Sequence, residues 1–153
     1  MLNPNKSVGF LIGDISRLIR RNFLRRAQDL GLSQAQWQAL AYLSRQQGVK
    51  QVTLAESLDI QPITVARIID KLEKAGLVAR QPDPDDRRAF RLYLTDAAGP
   101  LIDQMWEFAL ETRAEALAGL DEDQVEALIG ALAHMKDNLL AAENGGPEDQ
   151  NKE

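Results

Sequence analysis

The sequence predicts a mainly α-helical protein with a small β-hairpin wing, a winged helix-turn-helix carried between N- and C-terminal helices, and three observations predict it. Apolar residues recur three or four apart over 7–30, 33–47, 62–75, 96–120 and 121–142. A short apolar segment at 54–58 precedes the helix at 62 by only three residues, the spacing of two helices joined by a tight turn. The period then falls to two, with Phe90, Leu92 and Leu94 alternating with Arg91, Tyr93 and Thr95 behind a charged loop.

Each element has its own start and stop signals. In the first helix Leu11, Ile15, Leu18, Ile19, Leu24, Ala27 and Leu30 form the apolar stripe, and Gly31 supplies the stop. Ser33 and Gln36 make a Ser-x-x-Gln capping box ahead of inward-facing Trp37, Leu40, Ala41 and Leu43, and Gly48 closes that helix. Thr53 and Glu56 repeat the box before the segment 54–58, which breaks at Asp59-Ile60-Gln61. Pro62 then occupies a first helical turn, where its missing N–H costs nothing, and Gly76 ends this fourth helix. Leu77 to Gln81 reads as a strand, and Pro82-Asp83-Pro84-Asp85-Asp86-Arg87-Arg88 as a long hairpin loop with a charged tip. Helical period returns at Asp96 with Thr95 as N-cap, and Pro100, about five residues in, requires a bend or an irregular first turn. Asp121 and Gln124 open a last helix, and residues 144–153 read as a polar, disordered tail.

Composition narrows the chemistry. The 153 residues suffice for one core, and 44% hydrophobic with 27% charged residues is the balance of a soluble folded chain. There is no cysteine and one histidine, His134, which excludes disulfides, thiol chemistry and Cys/His zinc sites; no cofactor is expected. No apolar run approaches the roughly 18 residues of a membrane helix. The N-terminal Met1-Leu2-Asn3-Pro4-Asn5-Lys6 lacks a signal-peptide layout, so the expectation is a cytoplasmic protein without membrane contact. The net charge of -5 is unevenly spread: residues 1–50 carry eight Lys/Arg against two Asp/Glu, residues 51–95 seven against seven, and residues 96–153 three against fourteen. Local basic clusters set phosphate affinity, so the acidic total does not exclude a nucleic-acid partner.

A helix fits the DNA major groove and presents its N-terminal half to base edges. If residues 62–75 form that helix, Val65, Ile69 and Leu72 face inward, leaving Gln61, Ile63, Thr64, Arg67 and Lys71 outward. Arg67 is the candidate base reader, because a guanidinium grips guanine with two hydrogen bonds. Arg87 and Arg88 stand on the hairpin tip, where a guanidinium can enter a minor groove, with Asp86 placed to hold an arginine in position. The competing readings are structural: Arg67 paired with Asp70, Lys71 with Glu73 or Asp70, and the wing arginines a solvated charge run beside Asp83, Asp85 and Asp86.

Three stretches resemble the MarR family of bacterial transcription regulators: Leu54-Ala55-Glu56-Ser57-Leu58-Asp59-Ile60; Thr64-Val65-Ala66-Arg67 continuing through Leu72-Glu73-Lys74-Ala75-Gly76-Leu77-Val78; and Asp86-Arg87-Arg88 with Leu92-Tyr93-Leu94-Thr95. The similarity spans about residues 7–142. It is nearest to the SlyA branch, through Ala89, Pro100-Leu101-Ile102 and Leu117-Ala118-Gly119. The resemblance implies a homodimer with interlocked terminal helices, binding a palindromic double-stranded DNA operator in successive major grooves. It further implies that Arg67 reads a base and that Arg88 enters the minor groove. Ile63 departs from the pattern of members near this branch.

The resulting organisation is a helical dimerisation region at 1–32 and 96–143, a DNA-binding domain at 33–95 and the tail at 144–153. The terminal helices carry more apolar positions than a small wing domain can cover, which a symmetric dimer would bury; a monomer with a helical collar is the alternative. Met105, Trp106 and Phe108 then belong to dimer or core packing. The resemblance also suggests release from DNA by a small aromatic acid or phenol, for which Arg17, Trp37 and Tyr42 offer an anion partner and an aromatic wall. Core packing is the other reading of Trp37. Two functions of other classes compete: an enzyme, disfavoured because Glu111 and Glu115 lack the Glu-x-x-His spacing, and a winged-helix architectural or protein-interaction module without sequence readout.

Overall fold

The computed structural model describes residues 7–145. Helix α1, Val8–Ala27, passes through a 3-10 turn, Gln28–Leu30, to Gly31, whose φ of 69° makes it the left-handed stop that its position implies. Helix α2, Gln34–Arg45, starts from a complete capping box: Ser33 Oγ accepts the Gln36 N–H, and the Gln36 side chain accepts the Ser33 N–H at 2.7 Å.

Gly48 does not close α2, which ends at Arg45 with an extended Gln46 behind it. Instead Gly48, at φ 73°, turns the chain into a strand that no periodicity announces, β1 (Val49–Lys50). Its N–H donates to the Leu92 carbonyl at 2.8 Å, and a Cβ there would stand 3.0 Å from the Tyr93 hydroxyl, so both backbone and space demand glycine. Helix α3, Gln51–Leu58, follows at once. The expected Thr53–Glu56 box is not formed: Lys50 precedes the first turn without a side-chain cap, and Thr53 lies within the helix, its carbonyl accepting from Ser57 Oγ. Pairing of Val49 with Leu92 and of Lys50 with Arg91 sets the backbone just ahead of Gln51, so a long-range contact starts this helix before the local signal can.

Asp59 turns α3 into its neighbour with φ 52°, a left-handed conformation that Asp tolerates better than most non-glycine residues, and its N–H returns to the end of α3. Helix α4, Pro62–Lys74, begins with proline in its first turn as expected. Strands β2 (Val78–Pro82) and β3 (Phe90–Leu94) form the anticipated hairpin, in register from Val78↔Leu94 to Pro82↔Phe90. With β1 on the far side of β3, the sheet has three antiparallel strands in the order β1-β3-β2 rather than two.

One core holds these elements together. Leu40 and Leu43 of α2, Leu54 of α3, Ile69 and Leu72 of α4 and Leu92 of β3 have no exposed surface. Burying each such side chain contributes about 1.5–3 kcal/mol. Thr95 does not cap the next helix; its hydroxyl donates to the Gly76 carbonyl, tying the end of β3 to the end of α4. A 3-10 turn, Asp96–Ala98, comes first, and α5 (Gly99–Ala116) starts beside Pro100. The irregular turn thus places the proline in a first helical turn, where no hydrogen bond is lost. α5 ends at Ala116, short of the expected Leu120, and Gly119 turns at φ 86°.

The chain divides into two compact units, one running to Arg113 and one from Ala114. In the second, α6 (Glu122–Asn144) opens on the expected Asp121–Gln124 capping box. Asn144 is its last residue rather than the first of the tail, and the rest of the expected tail, 146–153, lies outside the described residues. No helix among the described residues is long and apolar enough to cross a membrane.

Candidate nucleic-acid interface

Helix α4 divides its side chains by chemistry. Val65, Ile68, Ile69 and Leu72 are buried, while Gln61, Ile63, Thr64, Arg67 and Lys71 are all exposed, as the helical period requires. Ile63 leaves 64% of its surface in solvent at the start of the helix. Among the described residues neither Arg67 nor Lys71 has an ion-pair partner. Asp70 and Glu73 instead hold Arg80, a residue of β2 with a side chain only 15% exposed, at 2.7 and 3.2 Å. Arg80 also donates to the Ala66 carbonyl of α4 and to Gln51 Oε1 of α3, so one guanidinium joins the wing to both helices.

The wing tip is organised around Asp83, an aspartate that one of the competing sequence readings sets in a solvated charge run. The Asp83 side chain has no exposed surface. Its Oδ1 accepts the N–H groups of Asp85 and Asp86 at 2.8 and 3.1 Å, and its Oδ2 accepts Arg91 Nε at 2.8 Å with Lys50 Nζ 3.9 Å away. Arg91 in turn donates to the Gly48 carbonyl, which links the tip to β1. Asp83 N–H closes the loop on the Ala89 carbonyl. Asp86 steadies an arginine, as expected, but through the backbone: its Oδ1 accepts the Arg88 N–H at 3.0 Å. Arg87 and Arg88 are exposed, and among the described residues neither side chain has an ion-pair partner. A helix face and a braced loop therefore both offer free guanidinium groups, the equipment for phosphate and base-edge contacts.

A family model described as MarR family matches residues 32–90, the segment just described. Among solved structures, a MarR transcriptional regulator from Methanosarcina mazei Go1 is 30% identical over 88% of this chain and 96% of that one, with a TM-score of 0.81. The chain belongs to the MarR family. It is thus a transcriptional regulator and not an enzyme. A MarR-family regulator from Silicibacter pomeroyi is 29% identical over 89% and 92% of the two chains with a TM-score of 0.78, and the regulator SlyA 25% over 88% and 94% with 0.76. The likeness to SlyA is no greater than to the other two, so the family is assigned and the SlyA branch is not singled out.

In this MarR-family chain the three residues expected to meet an effector are not brought together. Arg17 is exposed and pairs with Asp14 at 3.2 Å, and the Tyr42 hydroxyl donates to Gln46 and lies 3.1 Å from Ser57 Oγ. Of the three, Trp37 alone lines the cavity of about 160 Å³ between α1, α2 and α5. Trp37 is also core, 3% exposed with Phe23 packed edge-on at 5.9 Å, so both readings of it hold. The basic residue at the cavity is Arg20, one turn beyond Arg17, with Met105 and Trp106 of α5 on the opposite wall. One helical turn was enough to misplace the cation, because sequence period identifies a face and not a depth along it. The indole N–H of Trp37 is buried without an acceptor among the described residues.

Arg80 and Asp83 are the residues that sequence reading missed in this regulator's wing. The Asp-Pro-Asp-Asp run carried a signal for Asp83, since an Asx turn binds backbone N–H groups two residues on; nothing local marked Arg80. The two backbone N–H groups, chiefly that of Asp85, together with Arg91 hold the Asp83 carboxyl below the usual aspartate range, against the opposing effect of its burial. A carboxyl with a depressed folded pKa contributes stability above its unfolded pKa and loses it as pH falls through the folded one. Asp83→Asn is therefore expected to be destabilised at neutral pH, with the gap to the parent protein closing in acid below the usual aspartate range. Urea unfolding across that range tests this, and a gap constant with pH would contradict it.

Proposed function

We propose that this regulator binds a palindromic operator as a homodimer, with α4 of each protomer in a major groove and each wing in the adjoining minor groove. The observation that carries the reading is the pair of unneutralised cation sets, Arg67 with Lys71 on α4 and Arg87 with Arg88 on the wing, in a chain whose net charge is -5. Arg67 reads a base edge; Gln61, Ile63, Thr64 and Lys71 flank it; and Arg88, steadied by Asp86 with Arg87 beside it, enters the minor groove. Residues 33–95 form the DNA-binding domain, and 1–32 with 96–143 the dimerisation region. The exposed apolar residues support the dimer: Val8, Phe10, Leu11, Ile15, Leu18 and Ile19 on α1, and Leu128, Ile129, Leu132, Leu139 and Leu140 on α6, more than a solvated helix normally leaves in water. DNA fragments selected by the purified protein should share a palindrome with half-sites about one helical turn, 34 Å, apart. Sedimentation at micromolar concentration should give the dimer. Salt-sensitive binding without a shared sequence would favour an architectural module, and a stable monomer would remove the two-site geometry.

The effector reading moves to the cavity beside Arg20 and Trp37. An apolar cavity of about 150 Å³ accepts a single aromatic ring, Arg20 supplies the partner for a carboxylate or phenolate, and the unpaired Trp37 N–H supplies a donor. With its amide oxygen turned toward Arg20, Gln34 takes two of its N–H groups at 3.0 and 3.2 Å, orienting the guanidinium. A ligand there acts by binding better to a conformation with misaligned reading heads, and a preference of about 1.4 kcal/mol lowers operator affinity tenfold. Calorimetry with salicylate-like acids should detect binding that Arg20→Ala abolishes and Arg17→Ala leaves intact. Equal binding by parent and Arg20→Ala would move the site elsewhere.

A further inference from the structure

We infer that Arg80 is a positioning residue for operator recognition: by holding Asp70, it leaves Arg67 free to reach a base. The inference rests on the base-reading role proposed for Arg67. Side chains three or four apart are neighbours on a helix surface. By that rule the exposed face of α4 carries Arg67, Lys71 and Lys74 in a row, and Asp70 is the one carboxylate that can reach into it, from three residues beyond Arg67 and four before Lys74. Yet Asp70 pairs with neither. Its Oδ1 lies 2.7 Å from Arg80 Nη1, drawn to the edge of α4 that faces β2. The same guanidinium holds Glu73 at 3.2 Å and is itself fixed by the Ala66 carbonyl and Gln51 Oε1, while the Arg80 N–H donates to Glu73. Both exposed acids of the recognition helix are thus neutralised from a strand outside it, by a cation too enclosed to touch DNA.

Without Arg80, Asp70 and Glu73 would stand one turn apart with no shared cation, and Arg67 and Lys74 would be the nearest on the helix for Asp70. An Arg67–Asp70 pair would have to break for each base contact, and the freed carboxylates would repel the phosphates alongside. A purely structural role for Arg80 makes a different demand, since it would need the guanidinium itself and not merely the removal of charge.

Operator affinity, measured on the fragment selected by the parent protein at fixed ionic strength, separates the two, with thermal unfolding recorded for each variant. Arg80→Gln should bind about tenfold more weakly, and adding Asp70→Asn should bring affinity back to within about threefold of the parent. Parental affinity of Arg80→Gln, or no recovery in the double variant, overturns the inference. Should Arg80→Gln fail to fold, the triple variant with Asp70→Asn and Glu73→Gln decides, because it leaves no unpaired carboxylate. Affinity within about threefold of the parent supports the inference, and a loss of about tenfold overturns it. Arg67→Ala is measured in parallel. If it binds like the parent, the base-reading role itself has failed; if it is weakened and Asp70→Asn gives no rescue, only the role of Arg80 has.

Discussion

Leu72→Ala is expected to remove about 2–5 kcal/mol of folding stability. Leu72 has no exposed surface and sits on α4 within the cluster formed by Leu40 and Leu43 of α2, Leu54 of α3 and Leu92 of β3. Truncation loses the transfer free energy of three carbon atoms and leaves a cavity that α2, α3 and the sheet, each anchored elsewhere, can close only in part. Against a total of about 5–15 kcal/mol for a typical domain, that is a large fraction. Urea denaturation at one fixed protein concentration measures it, since association makes apparent stability concentration-dependent. A loss under about 1 kcal/mol would mean that the core around α4 is looser than its burial indicates.

Arg67→Ala, on the opposite face of the same helix, should have the reverse profile. Exposed and without an ion-pair partner among the described residues, Arg67 contributes little to folding, so stability should stay within about 0.5 kcal/mol of the parent. Operator affinity should fall by about 1–3 kcal/mol, and discrimination should relax at one base position in each half-site, because the contact proposed for Arg67 is to a base edge. Arg88→Ala provides the contrast: its effect should concentrate on operators with a narrow minor groove, where the potential that attracts a guanidinium is strongest. Competition binding with operators varied one base at a time reads both. Uniform weakening of all sequences by Arg67→Ala would reduce its role to a phosphate contact.

Most of the proposed recognition surface was legible in the sequence. The Pro62 start, the Gly76 stop and the period of Val65, Ile69 and Leu72 define the exposed face of α4 without reference to any other segment, and that face is the one observed. The hairpin, with its alternation about Leu92, was legible for the same reason. The residues proposed to meet an effector were less so. Arg17 and Arg20 lie on neighbouring turns of one helix, and which of them borders a cavity depends on where α5 crosses α1, a matter of tertiary packing.

The contrast between Ser33 and Thr53 separates the two levels of determination. Both head a Ser/Thr-x-x-Glu/Gln pattern, and of the two Ser33 alone caps a helix, because β1 pairs with β3 and starts α3 before Thr53 is reached. Local chemistry, meaning caps, proline, left-handed glycines and apolar period, specifies the helices, their exposed faces and the charged wing, since each of these interactions closes within about four residues. The third strand, the burial of Asp83 and the Arg80 junction arise from partners far apart in the chain: Gly48 with Leu92, Asp83 with Lys50, and Arg80 with Gln51. A charged residue reads as exposed until such a partner is in place, because desolvating it is unfavourable without one, and the partner is supplied by the fold.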